Sequence, residues 1–315
     1  MTPENPPAAA PPRASDHWAP RFFGELYGRI YSRHLLPASR SRAEAAFALE
    51  RLAGAEGPLL DLAAGFGRHA RLVAARRPVV ALDLNTDYLH AAGRGLTGRR
   101  AARLHRAAGD MRVLPFADGA FGGVMMLFNS FGYFVPPARE ETAAPRREVY
   151  RLPDVFYRRG LVGEDFGVHR ADGAAAEPPA DAAHGEPDDP NLAVLREVRR
   201  VTRRGGLFLV EAPNPAPLVR AVREAPRRHM ATSRYAVEED FQFDDETRVL
   251  HNRTRFTAGR HSEEAGYSLR LYTRRELAAA LRACGFRVLA TWGGYEGEPF
   301  DGRRSEMILV LASRA

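Results

Sequence analysis

Residues 59–70 constrain the fold of this chain more than any other stretch. They read Leu-Leu-Asp-Leu-Ala-Ala-Gly-Phe-Gly-Arg-His-Ala. The apolar start has no polar alternation, which predicts a strand covered on both faces. Gly65 and Gly67 predict a sharp turn where a ligand can approach the backbone. Residues 68–76 are then predicted to form a helix whose N-terminus points at that ligand. Strand, glycine turn and helix make the first half of a nucleotide-binding α/β fold.

Acidic residues at the ends of apolar runs narrow the choice of ligand. Asp61 stands at the end of the first predicted strand, where its carboxylate can receive an ammonium group. Asp83 ends the second apolar run, 18 positions after Gly65, and is placed to hold ribose hydroxyls. Asp110 follows a third short run and is available to an adenine amino group. A ligand with an amino acid end, a ribose and an adenine would use all three acids.

With these motifs the chain resembles the class I S-adenosylmethionine-dependent methyltransferases. The motifs that carry the resemblance lie at 61–69, 83–85, 109–116, 128–134 and 203–206. The resemblance implies an α/β fold: a Rossmann-like, seven-stranded, mostly parallel sheet with helices on both faces. It also implies S-adenosylmethionine as the cofactor. The chain departs from the family pattern at Ala64, Phe66 and Gly122, and none of these departures removes a ligand-contacting acid.

The resemblance assigns a set of residues to the cofactor. Those of the glycine motif and the strand ends are Asp61, Ala63, Gly65, Gly67, Arg68, Asp83, Leu84, Asp110, Met111 and Asn129. An aromatic N-terminal helix adds Tyr27 and Tyr31, which are predicted either to close over the cofactor or to pack on the core.

The methyl acceptor is expected at the end of the fourth predicted strand. In open parallel sheets, ligands bind outside the carboxyl ends of strands. Ser130 and Tyr133 of the following loop are therefore predicted to face the acceptor. The alternative is that this is an ordinary loop without a role at the acceptor, in which Phe131 and Phe134 fill apolar space.

Alternating polar and apolar residues predict a small antiparallel cap, a three-stranded β-meander. Its strands are expected at 233–239, 248–257 and 268–272, lying over the cofactor end of the sheet. Arg270 and Tyr272 would face either the acceptor cavity or solvent.

The chain is predicted to have two parts, and the second contains an insertion and a cap. Residues 1–20 are a disordered tail, and 21–315 form the methyltransferase domain. An insertion is predicted at 135–190 and the β-meander cap at 214–273. The insertion ends at 171–190 in a low-complexity run of Ala, Pro, Asp and Glu that we expect to be disordered.

Methyl transfer from a sulfonium is an in-line displacement with a neutral leaving group, so proximity and alignment can supply most of the catalysis. An O or N nucleophile can still need a base. Tyr133, His69 and Glu296 are the candidates for that base. His69 follows the glycine turn, so its alternative role is to cap or pack the helix. No metal is expected, because no grouping of ligand-type side chains has convincing metal spacing.

Composition excludes several classes of chemistry. The net charge is +7, yet the chain has no lysine, so all 46 basic residues are arginine. Schiff-base chemistry and a Walker-type phosphate lysine are therefore excluded. The arginines are spread along predicted helices, so we do not expect a nucleic-acid partner. The chain has one cysteine, Cys284, which is predicted to be a buried small hydrophobe, and a single cysteine favours a reducing cytoplasm. The chain has no apolar run long enough to cross a membrane, so we expect no membrane span.

Three functions follow from these observations. The first is methyl transfer to an O or N atom of a small molecule. The second is a non-catalytic protein that binds S-adenosylmethionine. The third is an NAD-dependent oxidoreductase, against which Asp61 and the 129–134 loop count. The sequence gives neither the acceptor nor the oligomeric state.

Overall fold

The computed structural model describes residues 22–30, 37–135, 189–232 and 234–315. The predicted tail, Tyr31 and nearly all of the predicted insertion lie outside these ranges. None of the helices within them is long and apolar enough to cross a membrane.

A seven-stranded sheet forms the centre of the molecule, as predicted. Its strands are β1 Leu59–Leu62, β2 Val79–Asp83, β3 Leu104–Ala108, β4 Phe121–Met126, β5 Thr202–Pro213, β10 Phe286–Trp292 and β11 Met307–Arg314. The spatial order is β10-β11-β5-β4-β1-β2-β3, and only β11 runs antiparallel to its neighbours. The chain order reverses beside β1, which pairs with both β2 and β4. This reversal places a ligand crevice at the carboxyl ends of β1 and β4.

Helices cover both faces of this sheet. They are α1 Glu25–Ile30, α2 Ala38–Arg51, α3 Ala70–Val73, α4 Thr86–Gly93, α5 Gly98–Arg103, α6 Asn191–Val201, α7 Pro215–Glu224 and α8 Arg274–Ala283. Every residue of β1 and β4 is buried. Leu59 packs with Phe47 of α2 on one face, whereas Leu60 packs with Val194 of α6 on the other. Cys284 lies in this second core, as predicted.

The cap has four strands, so the predicted three-stranded meander was wrong in its count and its bounds. The strands are β6 Arg227–Ala231, β7 Tyr235–Asp244, β8 Val249–Ala258 and β9 His261–Arg270, paired in that order. β6 was missed because nearly all its residues are exposed and therefore show no apolar alternation. β9 was placed too late because it begins with the polar residues 261–264.

The cap is attached to the loop that follows β4. The backbone N–H of Arg270 donates to the carbonyl of Gly132 at 2.8 Å. The ring of Tyr267 in β9 lies edge-on to that of Tyr133, with 5.5 Å between centroids. The cap is therefore held beside the carboxyl end of β4.

Candidate active site

The two glycines of the turn after β1 have different structural roles. Both have left-handed backbone angles, with φ +54° at Gly65 and +67° at Gly67. A Cβ added at Gly67 would lie 2.5 Å from the Cβ of Ala92, so this glycine allows the turn to pack on α4. A Cβ added at Gly65 would meet no atom of the described residues within 4 Å, apart from its two chain neighbours. Ala63 also has a positive φ, 59°. The backbone at Gly65 therefore faces open space that a ligand can use.

Asp61 is buried at the end of β1, with 1% of its surface exposed. Its Oδ2 accepts a hydrogen bond from the backbone N–H of Ala70 at 3.0 Å. Burial raises the pKa of Asp61 to about 7, against the lowering effects of that amide and of Arg68. A cationic ligand group beside Asp61 would stabilise its charged form.

Asp83 joins the glycine turn to the end of β2. Its Oδ2 accepts from the backbone N–H of Gly65 at 2.7 Å, and its Oδ1 accepts from that of Asn85 at 2.8 Å. Burial raises the pKa of Asp83, and these two amides oppose that effect. Each carboxylate oxygen can accept further bonds. Asp83 and its neighbour Leu84 are both half-buried, so they can contact a ligand.

Asp110 follows β3 and forms a salt bridge with Arg112, whose Nη2 lies 2.6 Å from Oδ2. The guanidinium of Arg112 in turn lies 4.4 Å from the ring centroid of Phe134. Met111 packs, partly buried, against the core. The predicted adenine-binding residues therefore lie next to the loop after β4.

Arg68 and His69 belong to a buried network centred on Glu44 of α2, a residue that the sequence analysis missed. Arg68 and Arg40 both form salt bridges with Glu44, and His69 Nε2 lies 2.8 Å from its Oε2. Burial raises the pKa of Glu44, but the His69 hydrogen bond and the Arg68 charge outweigh it and lower the pKa to about 2.

The network leaves one donor atom of Arg68 without a partner in the described ranges and bonds His69 through its Nε2. The Nη2 of Arg68 is buried and has no hydrogen-bond partner among the described residues. His69 is 4% exposed, and burial lowers its pKa. This burial supports the prediction that His69 caps or packs the helix, rather than the prediction that it is a base acting on the acceptor.

The loop after β4 has an unusual backbone. Phe128 and Asn129 have positive φ angles of 60° and 56°. Such angles cost roughly 1–3 kcal/mol each in non-glycine residues and cluster at functional sites. Asn129 Oδ1 is buried and has no partner within the described ranges, whereas Ser130 Oγ donates to the carbonyl of Leu127 at 2.9 Å.

Glu211 holds this strained loop and is a second residue that the sequence analysis missed. It is 1% exposed near the end of β5. Its Oε2 accepts from the backbone N–H of Phe128 at 2.6 Å and from the hydroxyl of Tyr295. A signal existed in the sequence, because residues 207–211 are an apolar run ending in an acid, as are the runs ending in Asp61 and Asp83.

The predicted acceptor residues have different surroundings. Tyr133 is packed between the rings of Phe23 and Tyr267, and burial raises its pKa. Arg270 is half-buried and bonds to Glu276. Glu296, the third candidate base, is exposed.

Tyr272 does not face an acceptor cavity or solvent. It is 3% exposed, its hydroxyl donates to Asp189, and its ring lies 5.0 Å from that of Phe131. β9 ends at Arg270, so the alternation that predicted an outward side chain no longer applies at position 272. Tyr272 is a core residue, and we withdraw the prediction that it contacts substrate.

The N-terminal segment 22–30 lies over the glycine turn. The side-chain amide of Asn85 donates to the carbonyl of Phe23 at 2.8 Å, and the Tyr88 hydroxyl donates to that of Gly24 at 2.9 Å. A Cβ at Gly28 would lie 2.6 Å from the ring of Phe66. Tyr27 itself packs in a cluster of apolar side chains from this segment and the cap, where its ring lies close to that of Phe256.

A separate cleft of ≈ 730 Å³ lies between α7, the β7–β8 turn and the start of α8. Its arginines are Arg220, Arg223, Arg248, Arg274 and Arg275. None of the predicted site residues lines it, so we place the candidate site at the strand ends. Within the described part of the chain, no three His, Cys, Asp or Glu side chains are grouped as a metal site requires.

Comparison with known proteins agrees with this geometry. Residues 59–152 match the family model described as a methyltransferase domain. No curated protein sequence matches the chain.

Solved structures share the fold over nearly their whole length. An S-adenosylmethionine-dependent methyltransferase from Clostridium acetobutylicum has 14% identity and a TM-score of 0.63, covering 91% of this chain and 97% of its own. The CcbJ methyltransferase from Streptomyces caelestis has 17% identity and a TM-score of 0.62, covering 89% and 98%. CalS10, an amino pentose methyltransferase from Micromonospora echinaspora, has 17% identity and a TM-score of 0.53, covering 93% and 98%.

Proposed function

Because this chain is a class I methyltransferase by its domain and its fold, we propose that it transfers the methyl group of S-adenosylmethionine to an O or N atom of a small molecule. The observation that carries the proposal is the hydrogen bond from Gly65 N–H to Asp83 Oδ2, 2.7 Å long. It joins the glycine turn after β1 to the acid that ends β2. The amino acid end and the ribose of one ligand would meet these two groups.

Unsatisfied polar atoms at the site match the amino acid end of that cofactor. Arg68 Nη2 is a buried donor without a partner in the described ranges, and it would bind the cofactor carboxylate. Asn129 Oδ1 is a buried acceptor that likewise has no partner in the described ranges. Together with Asp61 it would accept hydrogen bonds from the ammonium group. Buried polar atoms left unpaired cost free energy, which a bound partner would recover.

The remaining cofactor groups have matching positions. The open space beside Gly65 would admit the cofactor backbone, and Asp83 would accept from the ribose hydroxyls. Leu84, Asp110 and Met111 would flank the adenine. Ala63 and Gly67 would shape the turn, with Tyr27 in the covering segment.

The cofactor supplies a methyl group on a positively charged sulfur, and the chain aligns the acceptor with it. Ser130, Tyr133 and Arg270 lie on the loop after β4 and the cap strand that contacts it. This contact supports a roofed site that admits a small molecule. A structural neighbour described as an amino pentose methyltransferase is consistent with such an acceptor. A non-catalytic binding protein would keep the same cofactor residues, so an activity assay separates the two.

Asp83→Ala should weaken S-adenosylmethionine binding about tenfold to a hundredfold, because hydrogen bonds to charged groups contribute roughly 1.5–3 kcal/mol. Calorimetry with S-adenosylmethionine and S-adenosylhomocysteine would measure the change. Asp87→Ala is the matched control, since Asp87 is an exposed acid four residues later. An unchanged dissociation constant for Asp83→Ala would remove Asp83 from the site.

The acceptor class is tested with a labelled methyl group. Small phenols, amines and carboxylic acids are compared as acceptors with RNA and with protein extracts. We expect label in small molecules, because the cap contacts the loop at the reacting centre. Label found only in macromolecules would contradict the small-molecule acceptor while leaving the cofactor assignment intact.

A further inference from the structure

Glu211 has one carboxylate oxygen in use and one without a partner. Oε2 accepts from the backbone N–H of Phe128 and from the hydroxyl of Tyr295. Oε1 is buried and has no hydrogen-bond partner among the residues that the structure describes. A buried carboxylate is stable only when it is paired or protonated. The free oxygen of Glu211 therefore requires either a proton or a ligand that donates to it.

The cations near Glu211 are bonded to another acid. Arg40 and Arg68 both form salt bridges with Glu44, which also takes the hydrogen bond of His69. Glu211 is bonded only to neutral donors in the described ranges. Burial and the charge of Glu44 raise its pKa, whereas Tyr295, Phe128 and the charge of Arg40 lower it. Glu211 is thus a buried acid without a cation of its own.

Glu211 lies near the carboxyl end of β5, beside the loop after β4. β4 and β5 pair in parallel, with Met126 opposite Val210. Glu211 follows this pair, and its carboxylate accepts from the backbone N–H of Phe128, the residue before Asn129. The carboxyl ends of neighbouring strands are where this fold binds its ligands. The three bases predicted from the sequence are less suitable, since His69 bonds to Glu44, Tyr133 is packed among rings and Glu296 is exposed.

We propose that Glu211 binds the methyl acceptor through Oε1 and that this acceptor is an amine. The inference rests on the proposed methyl transfer and specifies its substrate class. The acceptor enters as an ammonium ion and gives one proton to Oε1, which leaves a neutral amine. The nitrogen lone pair then forms the bond to the methyl carbon, and the electron pair of the breaking C–S bond stays on sulfur. The positive charge moves to the methylated nitrogen, and Glu211 returns its proton to solvent as the product leaves.

The charge on Glu211 is what selects this acceptor. An ammonium group brings both a positive charge and N–H donors to a buried carboxylate, and charge-assisted bonds of this kind are the strong ones. An alcohol brings one donor and no charge, and a carboxylic acid would bring a like charge at neutral pH. The same carboxylate can also accept the proton that must leave before the nitrogen can react.

Glu211 also has a structural role, because Oε2 holds the strained backbone at Phe128 and Asn129. Glu211→Gln separates the two roles. A glutamine carbonyl oxygen can still accept from Phe128 and Tyr295, so the loop keeps its support. The amide group has no negative charge and cannot accept a proton, so the proposed role is lost.

The experiment compares amines with alcohols of the same carbon skeleton: cyclohexylamine with cyclohexanol, and benzylamine with benzyl alcohol. Wild-type protein should methylate the amines in preference. Glu211→Gln should lower kcat/KM for amines at least about a hundredfold, the usual scale of acid–base catalysis. Its affinity for S-adenosylmethionine should stay within about twofold. Glu306→Gln, which changes an exposed acid just before β11, should match the wild type in both measurements.

Two further measurements keep the inference testable if Glu211→Gln folds poorly or turnover is slow. Tyr295→Phe keeps the ring and Glu211 but removes one donor to Oε2, so it should give a smaller loss with the same amine preference. Calorimetry should detect cyclohexylammonium binding to protein loaded with S-adenosylhomocysteine, and Glu211→Gln should abolish it.

The outcomes separate the two proposals. Failure of the wild type to bind S-adenosylmethionine would overturn the proposed function itself. Normal cofactor binding with equal use of amines and alcohols, or with amine methylation unaffected by Glu211→Gln, would overturn the amine inference alone. Cofactor binding with no amine methylation and no ammonium binding that depends on Glu211 would overturn it as well.

Discussion

Gly65→Val should abolish S-adenosylmethionine binding, with a loss of at least about a hundredfold, while the protein still folds. Among the described residues, no atom beyond the two chain neighbours lies within 4 Å of a Cβ at this position, so the described fold accommodates the new side chain. The side chain would instead fill the space in which the fold brings a ligand against its backbone. The positive φ of Gly65 adds a strain of roughly 1–2 kcal/mol.

Gly95→Val is a matched control for this substitution. Gly95 also has a positive φ, +68°, and a Cβ there would also be clear, by 4 Å, of other atoms in the described part of the chain. It lies in the exposed turn after α4. The two variants should therefore show similar losses in Tm, and calorimetry should find a loss of cofactor affinity only in Gly65→Val. Normal affinity in that variant would show that the space beside Gly65 does not hold the cofactor.

Glu44→Gln should lower the free energy of unfolding by about 3 kcal/mol at pH 7, because each unit of pKa shift corresponds to roughly 1.4 kcal/mol. The pKa of Glu44 falls from its usual value of 4.5 to about 2 in the folded protein. A folded pKa below the unfolded one stabilises the protein above the unfolded pKa. This stabilisation is lost as pH falls from about 4.5 towards about 2, so the variant and the wild type should converge there.

Urea denaturation at pH 7 and at low pH would measure the effect of Glu44→Gln. Glu50→Gln is the control, since it makes the same change on the same helix at a side chain that is 68% exposed. We expect Glu50→Gln to change stability by no more than about 0.5 kcal/mol. A loss in Glu44→Gln that is as large at low pH as at pH 7 would show that packing, rather than ionisation, is responsible.

The sequence predicted the main sheet well because buried parallel strands leave a strong signal. Their apolar runs end in acids, and parallel strands bring those ends to one edge of the sheet. Asp61 and Asp83 are for this reason both found beside the glycine turn.

The residues that sequence reasoning missed depend on contacts between distant segments. Glu44 is on a helix whose sequence gives no sign of a buried acid, and its partner His69 is 25 positions away. Glu211 meets Phe128 and Tyr295 across 83 and 84 positions. Such pairs are fixed by the packing of elements, which local periodicity does not describe.

The segment 22–30 lies between the glycine turn and the cap. On one side it is bonded to Asn85 and Tyr88, next to the glycine turn. On the other, the ring of Phe22 lies 4.8 Å from that of Tyr267 and 5.9 Å from that of Phe256 in the cap. If the proposed cofactor and acceptor lie on its two sides, a ligand that shifts this segment would change the contacts available to the other ligand. Because free energies of binding are reciprocal, the acceptor should change cofactor affinity by the same factor by which the cofactor changes acceptor affinity.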